Sequence, residues 1–196
     1  QVAKLHANSA VSYSFYDDAG RIKYGVDRLG NVSEMIYDDA SRLIGTKQYA
    51  NQISTTDWFN SQTGALVNDT APTIVSLESK ISTSSNDRES RSYYDDSGRK
   101  IFDQDPAGYV TEYRYDGASR LTHTLAYENT TDVTFNAQSG VATINSDADF
   151  RVSRQFYTPD GLLQFSLDSE GYVTEYVYDK AGRQTTLAQY ANAAKY

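Results

Sequence analysis

The sequence predicts an all-β fold, a repeat array of β-hairpins, and three observations predict it. The layout running from Tyr94 to Asn129 recurs from Tyr16 to Asn51 and from Tyr157 to Asn192. In all three copies the first Tyr stands 21 residues before the second, and the closing Tyr follows the second Arg by seven. Turns begin ten and then eleven residues apart within each copy, leaving six to seven residues for each strand, near the usual strand length.

Taken in order, the first copy opens with a β-rich stretch, Val11 to Tyr16, that ends at Asp17-Asp18-Ala19-Gly20. An Asp-x-x-Gly tetrad is a hairpin signal. The carboxylate accepts the backbone N–H two residues on, and the Gly supplies the positive φ that lets the second strand leave with the right twist, often as a G1 bulge. The defining pairs are Asp17 with Gly20, Asp27 with Gly30, Asp95 with Gly98, Asp105 with Gly108, Asp168 with Gly171 and Asp179 with Gly182. Thr158-Pro159-Asp160-Gly161 supplies the equivalent turn in the third copy. In the first two copies the last turn carries Ser41 or Ser119 where the third has Gly182. Either Ser takes a costly positive φ there or the turn type changes.

The strands after the second turns alternate. Tyr109, Thr111, Tyr113 and Tyr115 share one face, with Val110, Glu112 and Arg114 on the other. Tyr172, Thr174, Tyr176 and Tyr178 oppose Val173, Glu175 and Val177 in the same way, and the first copy is plainer, with Met35 and Tyr37 against Val32, Glu34 and Ile36. Variable segments follow each closing Tyr-x-Asn. Two of them share Phe-Asn-x-Gln-x-Gly, at Phe59 to Gly64 and Phe135 to Gly140. The period is 78 residues from Tyr16 to Tyr94 and 63 from Tyr94 to Tyr157, and the excess falls mostly between Leu66 and Asp87. That stretch reads as a polar surface loop in which Ile74, Val75, Leu77 and Ile81 form a short strand or a helical turn at the sheet edge. Val141 to Asn145 reads as a further strand. The expected organisation is one array over residues 1–196, with units near 9–86, 87–149 and a truncated 150–196. The opening residues end in His6-Ala7-Asn8, like the tail of a unit, and a chain starting and stopping mid-period is expected of a piece of a longer array.

Composition bounds the function. With 17 Tyr and few Leu, Ile, Val, Phe or Trp, much of the packing surface is tyrosine, whose hydroxyls need partners. A net charge of -8 argues against nucleic acid, and no basic amphipathic stretch or long apolar run suggests membrane insertion. The chain has no cysteine, so a disulfide framework and a thiolate metal site are both excluded.

Tyr-Asp-x-x-Gly-Arg, then Asp-x-x-Gly about ten residues on, then Thr-Glu-Tyr-x-Tyr-Asp and a further Gly-Arg resembles the YD (RHS) repeat family. Tyr94 to Arg120 and Tyr157 to Arg183 carry the resemblance best. It implies hairpins spiralling into a β-strip, solenoid or shell segment, as in bacterial Rhs toxins, the shell components of insecticidal toxin complexes and teneurins. It also implies an enclosed effector domain in the toxins and cell-surface adhesion in teneurins. The toxin shells end in a self-cleaving Asp-Pro-x-Gly-Leu segment. Asp105-Pro106-Ala107-Gly108 is followed by Tyr109 inside the array and is read as an ordinary turn.

Candidate chemistry is sparse. Calcium wants six to eight oxygens at one point, whereas each Asp-rich turn offers two carboxylates, so no metal or other cofactor is expected. Glu34, Glu112 and Glu175 recur identically, which suits a structural pairing, with an Arg such as Arg91, Arg114 or Arg154, better than a hydrolytic carboxylate pair. His6 and His123 are non-equivalent, and no nucleophile motif accompanies them. The expectation is therefore a non-enzymatic structural or interaction segment of a large secreted or cell-surface bacterial protein, forming a scaffold, shell or fibre. Its partners would be further repeats, head to tail, of the same or another copy. The alternative is a carbohydrate-binding or adhesion module in which Tyr109, Tyr113, Tyr172 and Tyr176 stack on sugar rings. Against that stands the reading that these tyrosines fill the inner face of the sheet.

Overall fold

The computed structural model describes residues 4–5, 11–58, 60, 66–67, 71–136 and 142–193. Two compact units divide between Arg91 and Ser92, and each is an antiparallel sheet of consecutive hairpins.

The first unit holds β1 (Lys4–Leu5), β2 (Val11–Tyr16), β3 (Ile22–Val26), β4 (Val32–Tyr37), β5 (Leu43–Gln48), helix α1 (Ile74–Glu78) and the first half of β6 (Arg88–Tyr94). Its strands pair in the order β1-β2-β3-β4-β5-β6. The second unit, after the rest of β6, holds β7 (Lys100–Gln104), β8 (Val110–Tyr115), β9 (Leu121–Tyr127), β10 (Val133–Phe135), β11 (Ala142–Ile144), β12 (Phe150–Tyr157), β13 (Leu163–Leu167), β14 (Val173–Tyr178) and β15 (Gln184–Gln189). Its main sheet runs β7-β8-β9-β12-β13-β14-β15, and β10 pairs with β11 alone.

Directly opposed residues share a face, so the register sorts the side chains. In the first unit one row crosses β2 to β6 as Phe15, Tyr24, Glu34, Lys47 and Glu89. The matching rows of the second unit are Phe102, Glu112, Leu125 and Val152, and then Phe156, Phe165, Glu175 and Ala188. This is the Val/Glu face, and the core sits on it. One cluster gathers Tyr13, Phe15, Tyr24, Val26 and Val32 under Ile53, Trp58 and Leu77. The other gathers Phe102, Val110, Leu125 and Tyr127 under Val133, with Phe135 packed against it. The expectation that the Tyr109–Tyr115 face is the inner one is therefore corrected. Tyr109 and Tyr172 are 48% and 42% exposed, while Val110 and Glu112 are buried. The reason is that the covering segments bring aliphatic and aromatic groups to the Val/Glu side.

The variable segments are those covers. Residues 74–78 form a helical turn rather than a strand. Thr73 caps it, its Oγ1 accepting from Ser76 N at 3.2 Å while Thr73 N donates to Ser76 Oγ at 2.9 Å. A reciprocal cap satisfies orphan amides at the first turn. Leu77, 0% exposed, drops into the first cluster and Ile81 packs beside it. The stretch is thus no mere surface loop, because its one fully buried Leu seals the sheet. In the second unit Phe135 stacks on Tyr93 at 3.9 Å and meets Phe102 edge-on at 5.5 Å. The strand expected near Val141 to Asn145 is β11. Apart from Asn60, Phe135 and Asn136, the shared Phe-Asn-x-Gln-x-Gly motif lies outside the described residues, as do Val141 and His6 to Asn8.

Candidate functional site

The recurring motif builds a clasp at one end of the hairpins. In the turn at Asp17, Gly20 N donates to Asp17 O at 2.9 Å, and Asp17 Oδ1 accepts from Ala19 N at 3.0 Å and Arg21 N at 2.9 Å. Asp17 Oδ2 then takes the Arg21 guanidinium at 2.7 and 2.8 Å. Asp95–Arg99, Asp116–Arg120 and Asp179–Arg183 repeat the set at 2.7 to 2.8 Å, and Asp38 holds Arg42 at 2.6 Å. Backbone N–H groups donated to each carboxylate, and then the Arg, hold these aspartates below the ordinary carboxylate range. The strand register slips by one residue just before Tyr16, Tyr37, Tyr115 and Tyr178, at Phe15/Tyr16, Ile36/Tyr37, Arg114/Tyr115 and Val177/Tyr178, as a G1 bulge requires. Gly20, Gly98 and Gly182 take φ of 78°, 76° and 75°.

Turns at the opposite end lack the Arg. Asp27 Oδ2 takes Asn31 Nδ2 at 2.7 Å, and Asp105 and Asp168 hold the amides of Tyr109 and Tyr172, each at 2.9 Å. Gly30, Gly108 and Gly171 take φ of 85°, 95° and 92°. Asp105-Pro106-Ala107-Gly108 is one more such turn, with Gly108 N on Asp105 O at 3.0 Å.

Each second-turn Tyr reaches back one hairpin. Tyr37, Tyr115 and Tyr178 donate their hydroxyls to the carbonyls of Ile22, Lys100 and Leu163 at 3.0, 2.8 and 2.8 Å. Where the preceding turn carries an Arg, its guanidinium lies over the ring, Arg21 on Tyr37 at 4.5 Å and Arg99 on Tyr115 at 5.0 Å. The same Arg explains the serines. Ser41 and Ser119 keep the turn and take φ of 62° and 63°. Each Oγ accepts from the Arg of the previous turn, Arg21 at 2.9 Å and Arg99 at 3.2 Å. In the third copy that Arg is Leu162 and the Ser is Gly182. Within one chain, the strained Ser stands where the Arg stands and disappears where it disappears.

Each repeated glutamate finds a tyrosine, and Glu112 also finds the expected Arg114. Tyr49, Tyr127 and Tyr190 donate to Glu34, Glu112 and Glu175 at 2.6, 2.7 and 2.5 Å, each fifteen residues on. Glu112, 8% exposed, is also held by Arg114 at 2.6 and 3.1 Å, whereas Arg91 pairs with Glu89. Burial, and then the bond to the glutamate, push Tyr49 and Tyr127 above the ordinary tyrosine range. The constant fifteen-residue spacing was the sequence signal for this pair.

The tyrosines considered for sugar stacking divide. Tyr109 and Tyr172 present exposed rings beside their turn glycines. Tyr113 and Tyr176 are half-buried, their hydroxyls 3.3 Å from Asp103 Oδ2 and 3.4 Å from Ser166 Oγ. Asp103 also binds Ser92 at 2.5 Å and Lys100 at 2.8 Å, a cross-strand polar knot that the repeat pattern hides because Gly25 stands at the equivalent place. On the first unit's Tyr-side face the row Ser14, Gly25, Ser33 and Gln48 floors an open depression of about 490 Å³. Among the described residues no group of three or more His, Asp or Glu side chains converges as a metal set.

No protein-family model matches the chain, and no curated protein matches it. Solved structures do. A chain of the TcdB2-TccC3-Cdc42 crystal structure aligns with 95% of this chain at a TM-score of 0.55 and 11% identity. The crystal structure of TcdB2-TccC3 aligns with 95% of it at a TM-score of 0.41 and 13% identity. This chain spans only 8% and 11% of the lengths of those two chains. The first likeness is one of fold: a sheet of consecutive antiparallel hairpins.

Proposed function

We propose that the chain is a YD-repeat (RHS-type) scaffold segment of a large secreted or cell-surface protein, and that its function is structural. The observation that carries this reading is the use of the recurring polar residues. The turn aspartates are committed to backbone amides and arginines, the second-turn tyrosines to neighbouring carbonyls, and the recurring glutamates to tyrosines. Groups engaged this way hold a sheet together, and the reading assigns them no catalysis and no cofactor. The fold likeness to a chain of a TcdB2-TccC3 complex crystallised with Cdc42 supports a toxin-associated strip or shell wall, with further repeats at its ends and an effector domain as its cargo.

The test is the native protein to which this segment belongs, imaged by cryo-electron microscopy and probed by limited proteolysis. The scaffold reading expects the hairpins to continue in register on both sides and to shield another domain from protease. An isolated segment with no further repeats in its gene would refute it. The exposed rings of Tyr109 and Tyr172 favour a second reading, carbohydrate binding. That reading expects retention on a glycan array that is lost on Tyr109→Ala with Tyr172→Ala, and a blank array dismisses it.

A further inference from the structure

The last strand of a copy pairs with the first strand of the next, β5 with the first half of β6 and β9 with β12. The two seams differ at one register position. At the first, Ile36 on β4 opposes Gly45 on β5, which opposes Arg91 on β6. At the second, Arg114 on β8 opposes His123 on β9, which opposes Arg154 on β12. Within the third copy the same position holds Val177 and Thr186. The second seam thus places a half-buried imidazole directly between two strands that each oppose it with an arginine. Like charges directly opposed across a ladder destabilise it.

We propose that the β9–β12 seam is an acid-sensitive joint, in which protonation of His123 sets three cations side by side and loosens the third copy from the second. The charged groups that act on the ring are Arg154 from β12, and Arg114 and Glu112 from β8. Glu112 is already taken as a counter-ion. It holds the Arg114 guanidinium at 2.6 and 3.1 Å and the Tyr127 hydroxyl at 2.7 Å. The tautomer follows from the hydroxyl beside the ring. Thr122 Oγ1 donates its proton to the Arg114 carbonyl at 3.0 Å, so in its 3.0 Å contact with His123 Nδ1 the imidazole N–H is the donor. The neutral ring therefore carries its proton on Nδ1, and Nε2 takes up the second one. Burial, and then the charges of Arg154 and Arg114, hold the imidazole below its ordinary range. The joint is thus at full strength above the unfolded imidazole pKa of about 6.5. It weakens as pH falls from there through the lower folded value. The arginine-held turn aspartates give way only in the carboxylate range, and His6 is the only other histidine in the chain. The inference stands independently of the scaffold reading.

The test is an NMR titration of the full chain between about pH 7 and pH 5, the range in which an imidazole changes charge. It follows the His123 ring, assigned by its loss in His123→Thr, together with amide exchange corrected for intrinsic rates. The ring should titrate below about 6.5. The amides of β9 and β12 should lose protection by roughly threefold or more, the scale of two like-charge cross-strand pairs, while those of β13 and β14 keep theirs. His123→Thr installs the residue that Thr186 supplies in the third copy, and it should abolish this pH dependence. Arg154→Gln should weaken the dependence and raise the ring's midpoint, which a purely steric role for Arg154 would not do. A midpoint at or above 6.5, equal losses in β13 and β14, or a dependence that survives His123→Thr would overturn the proposal.

Discussion

The second and third copies share their strands, turns and register, yet one is sealed and the other is open. Glu112 and Glu175 make the same bond to a tyrosine fifteen residues on. Around Glu112 that bond is buried beside Leu125 and Val133, and around Glu175 it is exposed at Tyr190. The difference separates two jobs that the repeat combines. Asp, Gly, Arg and Tyr make the strip, and the segments between copies make the core. Turn chemistry is local and survives without a cover, because each carboxylate closes its own loop. Burial is not local, and it depends on a few apolar side chains delivered from outside the motif.

Breaking the covers should give the largest effects. Leu77→Ala removes a side chain with no exposure and should cost about 2–5 kcal/mol in chemical denaturation, as Leu125→Ala should. Phe156→Ala, at the open equivalent of Phe15, should cost under about 1 kcal/mol. Similar costs at Leu125 and Phe156 would erase the distinction. Gly30 and Gly182 make a sharper pair. Both need positive φ, but a Cβ on Gly30 meets Ile53 O at 2.0 Å, whereas one on Gly182 meets nothing within 4 Å. Gly182→Ala should cost about 1–2 kcal/mol for the left-handed backbone alone, and Gly30→Ala should cost visibly more in the same melt, because Ile53 N is bonded to Gly30 O.

Tyr127→Phe leaves the buried Glu112 with one donor fewer and should cost about 1–3 kcal/mol, whereas Tyr190→Phe should leave stability unchanged. Smaller still is the Arg–Ser couple. Ser119→Gly relieves a left-handed Ser but loses the Arg99 bond, so it should be nearly neutral. After Arg99→Leu, which imitates Leu162, the same change should stabilise by about 1 kcal/mol. A double-mutant cycle with no coupling would show that the matched pairs in the three copies are unrelated.

The carboxylate and tyrosine titrations give two windows. Asp17, Asp38, Asp95, Asp116 and Asp179, the aspartates held by an Arg, have folded-state pKa values below their unfolded values, so their contribution is complete above the unfolded carboxylate range. It is lost as pH falls through that range to the lower folded values. Tyr49 and Tyr127 are raised, so their contribution is present below the unfolded tyrosine pKa of about 10 and fades as pH climbs past it. Acid melts of Asp95→Asn should flatten the first window, and tyrosinate absorbance should show Tyr127→Phe removing a late-titrating ring.

Much of this was legible in the sequence. Asp-x-x-Gly, with its Ser-ending and Pro-Asp-Gly variants, at ten and eleven residues placed the hairpin turns of the three copies, and the Tyr-x-Tyr alternation placed β8 and β14 with their faces correctly opposed. The side that is inner was not legible, because alternation distinguishes two faces without saying which one is covered. That choice is made by Trp58, Leu77, Val133 and Phe135, single apolar groups in polar surroundings whose contacts lie far along the chain. The Tyr–Glu pair and the Arg–Ser couple were present as constant spacings of fifteen and twenty residues, but spacing alone does not say that side chains on different strands meet. The knot at Asp103 left no repeated signal, since it occurs in one copy.

Amide hydrogen exchange resolved by residue tests the central claim most directly, that the strip forms everywhere but is sealed only where a cover lies on the Val/Glu face. The slowest amides should cluster in β3 and β4 and in β8 and β9, with β14 and β15 exchanging faster despite their complete hairpin. Equal protection across the copies, or slowest exchange in β14 and β15, would contradict it.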